Sequence, residues 1–179
     1  MKHAHLTLIC HARTDAQRVG RFHLNDDPLL LPVEPVTLPA APGKALVAPE
    51  LRTRQTADAL GLAGTADPGL RDCDLGSWQG LSLKHLERQD PDALQRWLAD
   101  PRAAPHGGES LVQFQQRVAH WLDGLATQGE WLAVTHPMVM RAVLLHVLDA
   151  PAQAFGQIDV LPLSQVQLSR YGRWRLRIE

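Results

Sequence analysis

The sequence predicts an α/β protein in which a mixed sheet is flanked by helices, and three observations point there. Apolar runs too short for helices recur between longer stretches with helical periodicity. Two of those runs end directly in a histidine, in Leu8-Ile9-Cys10-His11-Ala12-Arg13-Thr14 and in Leu132-Ala133-Val134-Thr135-His136-Pro137. A further pair of runs near the C-terminus is joined across Arg170-Tyr171-Gly172-Arg173, the pattern of an antiparallel pair. In an α/β domain the ends of strands and the loops behind them carry most of the chemistry. The repeated arrangement therefore predicts two strand ends that deliver imidazoles to one site.

Taken in order, Leu6 to Ile9 is the first predicted strand. Pro28, Pro32, Pro35, Pro39 and Pro42 then punctuate a stretch without regular pattern, predicted as a surface crossing whose residues near His11 help line a pocket. Ala45 to Ala48 is a second strand, ended by Pro49. Leu51 to Leu60 reads as a helix stopped near Gly61 and Gly64, which puts Arg52 in its first turn. The helix dipole disfavours a cation there, and a bound anion would relieve that placement. Leu83, Leu86, Leu94 and Trp97 support one or two helices, with Pro91 beginning the second. Leu111, Phe114, Val118, Trp121, Leu122 and Leu125 form one apolar stripe on a clearer helix. Trp131 to Thr135 is a strand, and Val139 to Leu148 an apolar helix after Pro137, a residue tolerated at helix starts. Val166 to Ser169 and Trp174 to Ile178 are the last two strands.

A chain of 179 residues that is 45% hydrophobic fits a single domain over residues 1–179. Its 18 Lys+Arg against 19 Asp+Glu leave a net charge of −1, with no overall field to draw in nucleic acid or an anionic membrane. The start lacks an apolar leader, and no apolar stretch approaches the roughly 20 residues that span a bilayer, so a soluble cytoplasmic protein is expected. Cys10 and Cys73 are far apart and read as reduced thiols. There is no repeat, P-loop, dinucleotide fingerprint or H-E-x-x-H motif, and no metal or cofactor is expected.

The remaining polar residues suit phosphoryl transfer through a histidine. A neutral imidazole can attack phosphorus when an acid protonates the leaving oxygen and positive groups neutralise the equatorial oxygens. His11 is the candidate nucleophile, with the small Ala12 leaving room for substrate. His136 is the second imidazole, catalytic and phosphate-binding, and Arg52 supplies the planar fork that suits phosphate. Arg54, two residues along the helix, should point elsewhere. Asp72 is the candidate proton donor, with Asp74 and Glu109 as alternatives; its carboxyl must stay partly protonated near neutral pH. Ser110 is positioned to cap the striped helix.

These segments resemble the histidine phosphatase superfamily, branch 1, also called phosphoglycerate mutase-like. The resemblance runs from Leu6 to about Leu148. The family opens on Arg-His-Gly-Glu-Thr, where this chain reads Cys10-His11-Ala12-Arg13-Thr14. Ala48-Pro49-Glu50-Leu51-Arg52-Thr53-Arg54-Gln55-Thr56-Ala57 is similar to its phosphate-binding arginine block. Leu70-Arg71-Asp72-Cys73-Asp74-Leu75-Gly76-Ser77-Trp78-Gln79-Gly80 is similar to the block of its acid, with aspartate where glutamate is usual. Gly107-Gly108-Glu109-Ser110 and Val134-Thr135-His136 complete the pattern, with Pro137 in place of a glycine.

The resemblance implies a three-layer α/β/α sandwich with a mixed, mostly parallel sheet, and transfer through a phosphohistidine on His11 without a metal. Cysteine cannot replace the guanidinium that the family carries before its histidine. Arg13 is expected to compensate as a phosphate-binding residue, ahead of Arg18 and Arg21, and Gln17, Arg21 and Glu109 are auxiliary candidates. The implied function is a phosphomonoesterase for a small phosphorylated metabolite. The alternatives are a weakened or non-catalytic phosphate-binding or regulatory protein, a phosphoglycerate mutase-like phosphotransferase, and a phosphohistidine protein phosphatase.

Overall fold

In the computed structural model, which describes residues 3–38 and 44–178, the chain begins with β1 (Ala4–Cys10), α1 (Asp15–Val19), β2 (Lys44–Val47), α2 (Leu51–Ala59) and β3 (Thr65–Ala66). It continues through α3 (Leu83–Gln89), α4 (Pro91–Ala99), α5 (Leu111–Gly124), β4 (Gly129–Thr135), α6 (Pro137–Val147), β5 (Gln165–Tyr171) and β6 (Arg173–Arg177). The six strands form one sheet in the order β3-β2-β4-β1-β5-β6. Its first four members are parallel, and β5 and β6 join antiparallel, so the sheet is mixed and mostly parallel.

Side chains alternate across a strand, and β1 is covered on both faces, with Ala4, Leu6, Leu8 and Cys10 buried on one and Thr7 and Ile9 on the other. Leu6, Leu8 and Cys10 pack with Phe114, Val118 and Leu122 of α5 and with the apolar face of α6. Ile9 points the other way, into a smaller cluster with Val47, Leu132, Val134 and Ala57 of α2. Helices thus cover both faces, which makes the three layers of an α/β/α sandwich.

The C-terminal edge of β1 and β4 positions the site. Their register pairs Cys10 with Thr135, and the ladder continues with the His11 N–H donating to the Thr135 carbonyl at 2.9 Å. His11 and His136 therefore leave adjacent strands at the same level. β2 extends its own ladder through Ala48 N–H to the Val134 carbonyl at 3.0 Å, which aims α2 at the same edge.

The predicted elements are present with ends shifted by one or two residues; a short helix α1, a short strand β3 and 3₁₀ turns at Pro68–Leu70, Gly76–Trp78 and Ala152–Gln157 are additional. α1 is a five-residue helix without an apolar stripe, held by a capping box between Thr14 and Gln17. β3 is a two-residue edge strand, exposed throughout. The C-terminal turn contracts to Gly172, whose φ of +75° lets Tyr171 pair directly with Arg173. Pro28, Pro32 and Pro35 lie exposed in the irregular crossing between α1 and β2, whereas Pro39 and Pro42 fall outside the described residues. Among the described residues no helix is long and apolar enough to cross a membrane.

Candidate active site

His11 is fully buried, and its Nδ1 lies 2.8 Å from the Ala12 carbonyl. A carbonyl only accepts, so Nδ1 carries the proton and donates it; in the neutral ring the lone pair is then on Nε2. That Nε2 is buried and has no hydrogen-bond partner. Burial, followed by the nearby His136, pushes the His11 pKa well below the ordinary imidazole value against the opposing Ala12 carbonyl, so the ring stays neutral. Ala12 N–H donates to Thr56 Oγ1 at 3.0 Å, and that hydroxyl donates to the Arg52 carbonyl at 2.7 Å. This chain of bonds locks the His11 turn onto α2.

His136 sits 5.5 Å from His11, ring to ring, and is also fully buried. It occupies the N-cap of α6 without a side-chain capping bond. Its Nε2 instead lies 2.7 Å from Glu50 Oε2. Its Nδ1 faces Asp72 Oδ2 at 3.5 Å, an ion-pair contact without a hydrogen bond.

Arg52, at the start of α2, is 1% exposed. Its Nη1 donates to the Leu24 carbonyl at 2.9 Å and its Nη2 to Asp72 Oδ2 at 2.6 Å, while Nε has no partner. Three unpartnered buried nitrogens, His11 Nε2, His136 Nδ1 and Arg52 Nε, thus occur in one cluster. Unsatisfied buried polar atoms are costly, and their concentration here marks a place built for a polar guest.

Two carboxylates complete the cluster. Burial alone would raise Asp72, but the charges of His136 and Arg52 outweigh it and hold the carboxyl well below the usual carboxylate range. Burial likewise opposes ionisation of Glu50, and the bond and charge of His136, with the Asp72 N–H, hold it below its ordinary value. Glu50 Oε1 accepts that N–H at 3.0 Å. The surroundings therefore favour the ionised form of both groups. Against the partial protonation expected of Asp72, its carboxyl is paired with Arg52 and faces His136, the cations a phosphate would need, and that pairing favours the ionised form.

The structure brings His11, Arg52, Asp72 and His136 together. It does not bring Arg13, expected to bind phosphate. Arg13 is exposed, has no side-chain hydrogen bond or ion pair among the described residues, and lies between buried Ala12 and Thr14. The cause is local: its carbonyl accepts from Leu30 N–H at 2.8 Å and Thr14 bridges to Leu29, an extended pairing that turns residue 13 outward. Arg18 is held in an exposed pair with Asp15. Gln17 lines the cavity described below while its Oε1 accepts from Thr14 N–H at 3.2 Å.

Arg21 and Glu109 act on loops. Arg21 grips Asp27 through both terminal nitrogens at 2.8 and 2.6 Å, closing the loop that carries His23, Leu24 and Asn25. Glu109 is bound at 2.6 and 2.8 Å by Arg117, which also donates to the carbonyls of Gly69, Arg71 and Asp72. That pair pins the Asp72 loop against α5. Ser110 caps α5 in a capping box with Gln113, and Arg54 is exposed.

Two residues of the cluster escape sequence reasoning. Glu50, just before α2, carries no local pattern, and its contacts with His136, 86 residues away, and with the Asp72 N–H reveal its place. His23 lies in a stretch without pattern, yet its ring packs 5.4 Å from His11 and its Nε2 pairs with Thr14 Oγ1 at 2.8 Å. A cavity of about 520 Å³ opens beside the cluster, with His23, Arg52 and Asp72 on its polar wall and Phe22, Trp97 and Phe155 on its apolar one. Among the described residues no group of three or more His, Cys, Asp or Glu is arranged to hold a metal ion.

Comparison with known proteins adds the lineage. The family model described as the histidine phosphatase superfamily (branch 1) matches residues 38–178, so Arg52, Asp72 and His136 lie inside the match and His11 lies before it. A bifunctional protein of Mycobacterium tuberculosis is 30% identical over 118 residues, covering 64% of this chain and 32% of that protein. A glucosyl-3-phosphoglycerate phosphatase of Mycolicibacterium vanbaalenii is 38% identical over 88 residues, covering 48% and 39%. The chain spans well under half the length of these curated relatives in the matched regions. Among solved structures, a mycobacterial glucosyl-3-phosphoglycerate phosphatase aligns with a TM-score of 0.77 at 24% identity, covering 98% of both chains. The α-ribazole phosphatase of Shigella flexneri aligns with a TM-score of 0.81 at 20% identity, covering 97% and 95%. The sandwich, the family match beyond residue 38 and the likeness to these folds agree: the chain belongs to branch 1 of the histidine phosphatase superfamily.

Proposed function

We propose that the protein is a phosphomonoesterase that transfers the phosphoryl group of a small phosphorylated metabolite to His11 and then to water, using side chains alone. The observation that carries this reading is the state of His11: neutral, buried, with Nδ1–H held by the Ala12 carbonyl and the Nε2 lone pair unbonded. That is the form an attacking imidazole needs, already oriented.

In the first step Nε2 attacks phosphorus, the ester P–O bond breaks, and Asp72 protonates the departing oxygen. Arg52 and His136 bear the charge of the equatorial oxygens. Asp72 becomes an acid through binding itself. A phosphate that takes Arg52 and His136 removes the two charges that hold the carboxyl ionised, while burial and the new negative charge push its pKa up. In the second step the Asp72 carboxylate takes a proton from water, the oxygen attacks the phosphohistidine, and inorganic phosphate leaves with His11 restored. Relatives named as phosphatases of small metabolites support this substrate class. Two buried, unpaired cysteines support a reducing, cytoplasmic setting.

The test is a panel of phosphomonoesters, p-nitrophenyl phosphate included, with phosphate release and an alkaline denaturing quench to trap the adduct. We expect labelled phosphate on His11, and a loss of roughly 10⁴-fold or more in kcat for His11→Ala with the fold retained. Turnover that survives His11→Ala would overturn the assignment. Phosphate binding without release from any ester would point to the non-catalytic reading.

A further inference from the structure

We propose that Arg141, on α6, is a second phosphate-binding cation, whose terminal nitrogens grip the phosphoryl group entering beside Arg52. The inference rests on the phosphomonoesterase reading for its ligand, and begins from the charges around the buried cluster. Glu50 and Asp72 are both ionised there, and both terminal nitrogens of Arg52 are already engaged, by Leu24 and Asp72. A phosphate monoester brings a charge of about −1.5 to −2 into this setting. Arg52 and His136 alone face two resident carboxylates, so a dianion needs a further cation close by.

The other arginines of the region are committed or distant from the cavity. Arg13 is exposed, Arg21 is bound by Asp27, and Arg117 is bound by Glu109. Arg141 differs. It is half-buried on the wall of the cavity that Arg52 and Asp72 also line, and Arg52 and Arg141 are the two arginines on that wall among the described residues. It lies one helical turn after Pro137, on the face of α6 that presents Pro137 and Met138 to the same cavity. Its Nε donates to the Ile158 carbonyl at 2.6 Å, and its guanidinium lies over the Phe155 ring, 5.6 Å from the centroid. These two contacts fix the plane of the group, while among the described residues its terminal nitrogens have no hydrogen-bond or ion-pair partner. A guanidinium held by Nε with its fork unmatched is preorganised for a tetrahedral oxyanion.

A second line agrees on where its charge acts. Cys10 precedes His11 and turns toward the face of the sheet that α6 covers. Burial and Asp72 push the Cys10 thiol up to about 12, and Arg141 opposes that rise ahead of Arg52. The charge of Arg141 is therefore felt at the strand end that delivers the nucleophile.

The test uses inorganic phosphate and orthovanadate as probes, with p-nitrophenyl phosphate as substrate because its only anionic group is the phosphoryl. Arg141→Met is expected to weaken phosphate binding in calorimetry, raise the vanadate inhibition constant and lower kcat/KM, each by roughly 10- to 1000-fold. Arg141→Lys keeps the charge but not the fork, and should recover only part of each loss. Should Arg141→Met fail to fold by circular dichroism, Arg141→Lys carries the test alone, with a weakening of several-fold expected. Unchanged phosphate and vanadate affinities in a folded variant would overturn the proposal. So would a defect confined to substrates with a second anionic group, which would assign Arg141 to the leaving group. Phosphate binding that depends on Arg141 in a protein that hydrolyses no ester would sink the phosphomonoesterase reading and leave this one standing; hydrolysis through His11 indifferent to Arg141 would do the reverse.

Discussion

His11 and His136 leave neighbouring parallel strands at the same level, both fully buried, and their nitrogens meet opposite surroundings. His11 Nδ1 donates to a neutral carbonyl, and no carboxylate bonds to the ring. His136 Nε2 meets the Glu50 carboxylate, and its Nδ1 faces Asp72. A carbonyl fixes a tautomer without stabilising a positive ring, whereas a carboxylate does both. One strand-end pattern thus yields a carbonyl-bound imidazole at one position, suited to the proposed nucleophile, and a carboxylate-bound imidazole at the other, suited to the proposed anion contact. The partner at 2.7 or 2.8 Å, rather than the strand that delivers the ring, sets the role.

The comparison breaks most directly at Glu50. Glu50→Gln keeps the shape but removes the charge opposite His136, and Glu50→Ala removes both. We expect kcat to fall roughly 10- to 100-fold in Glu50→Gln and further in Glu50→Ala, the scale seen when a carboxylate behind a functional histidine is lost. His11 should remain the labelled residue in both. Steady-state kinetics with the quench assay checks this, and a Glu50→Gln enzyme within twofold of wild type would mean that Glu50 only anchors the Asp72 loop.

What was legible beforehand follows the same division. His11, Arg52, Asp72 and His136 sit in local patterns that a reader of sequence recognises: an apolar run before each histidine, a helix start, a glycine-containing loop. Glu50 and His23 have no such context, because their significance lies in contacts made across the fold. The structure sets Arg13 apart from the cluster for a related reason. Sequence proximity to His11 placed it near the site, but the outward turn is set by pairing with Leu29 and Leu30, which no local pattern announces. The sheet was legible because its central strands carry apolar runs and β5 and β6 alternate apolar with polar residues, whereas α1 and β3 are held by one capping box and one edge pairing.

The histidines also sharpen the comparison through pH. Burial pushes His23 from 6.5 down to about 4, and His11 is lowered as well. In the unfolded chain both titrate near 6.5, so between that value and the native one the unfolded state binds more protons. Their contribution to stability is complete above about pH 6.5 and is lost as pH falls toward 4, with a slope of at most about 1.4 kcal/mol per pH unit for each group. Urea unfolding at pH 7.5, 5.5 and 4.5 should show that decline, and His23→Gln should flatten it. A wild-type stability constant across the range would contradict the buried, neutral state of these rings.

The smallest expected effect is at Arg13, and it tests whether the outward turn persists when substrate binds. An exposed guanidinium is surrounded by water, where a unit charge acts weakly on a buried site and salt screens it further. The backbone on both sides is held independently of that side chain, by the Leu30 N–H on the Arg13 carbonyl and by Thr14 capping α1. Arg13→Ala should therefore change kcat/KM by less than about twofold and stability by less than about 0.5 kcal/mol, the usual range for a surface substitution. The same substitution in an Arg141→Met background should add nothing, since residues without a shared partner act independently. A loss of tenfold or more from Arg13→Ala alone would show that the residue 13 turn reorganises around the anion, releasing the Leu29 and Leu30 pairing to swing the guanidinium inward.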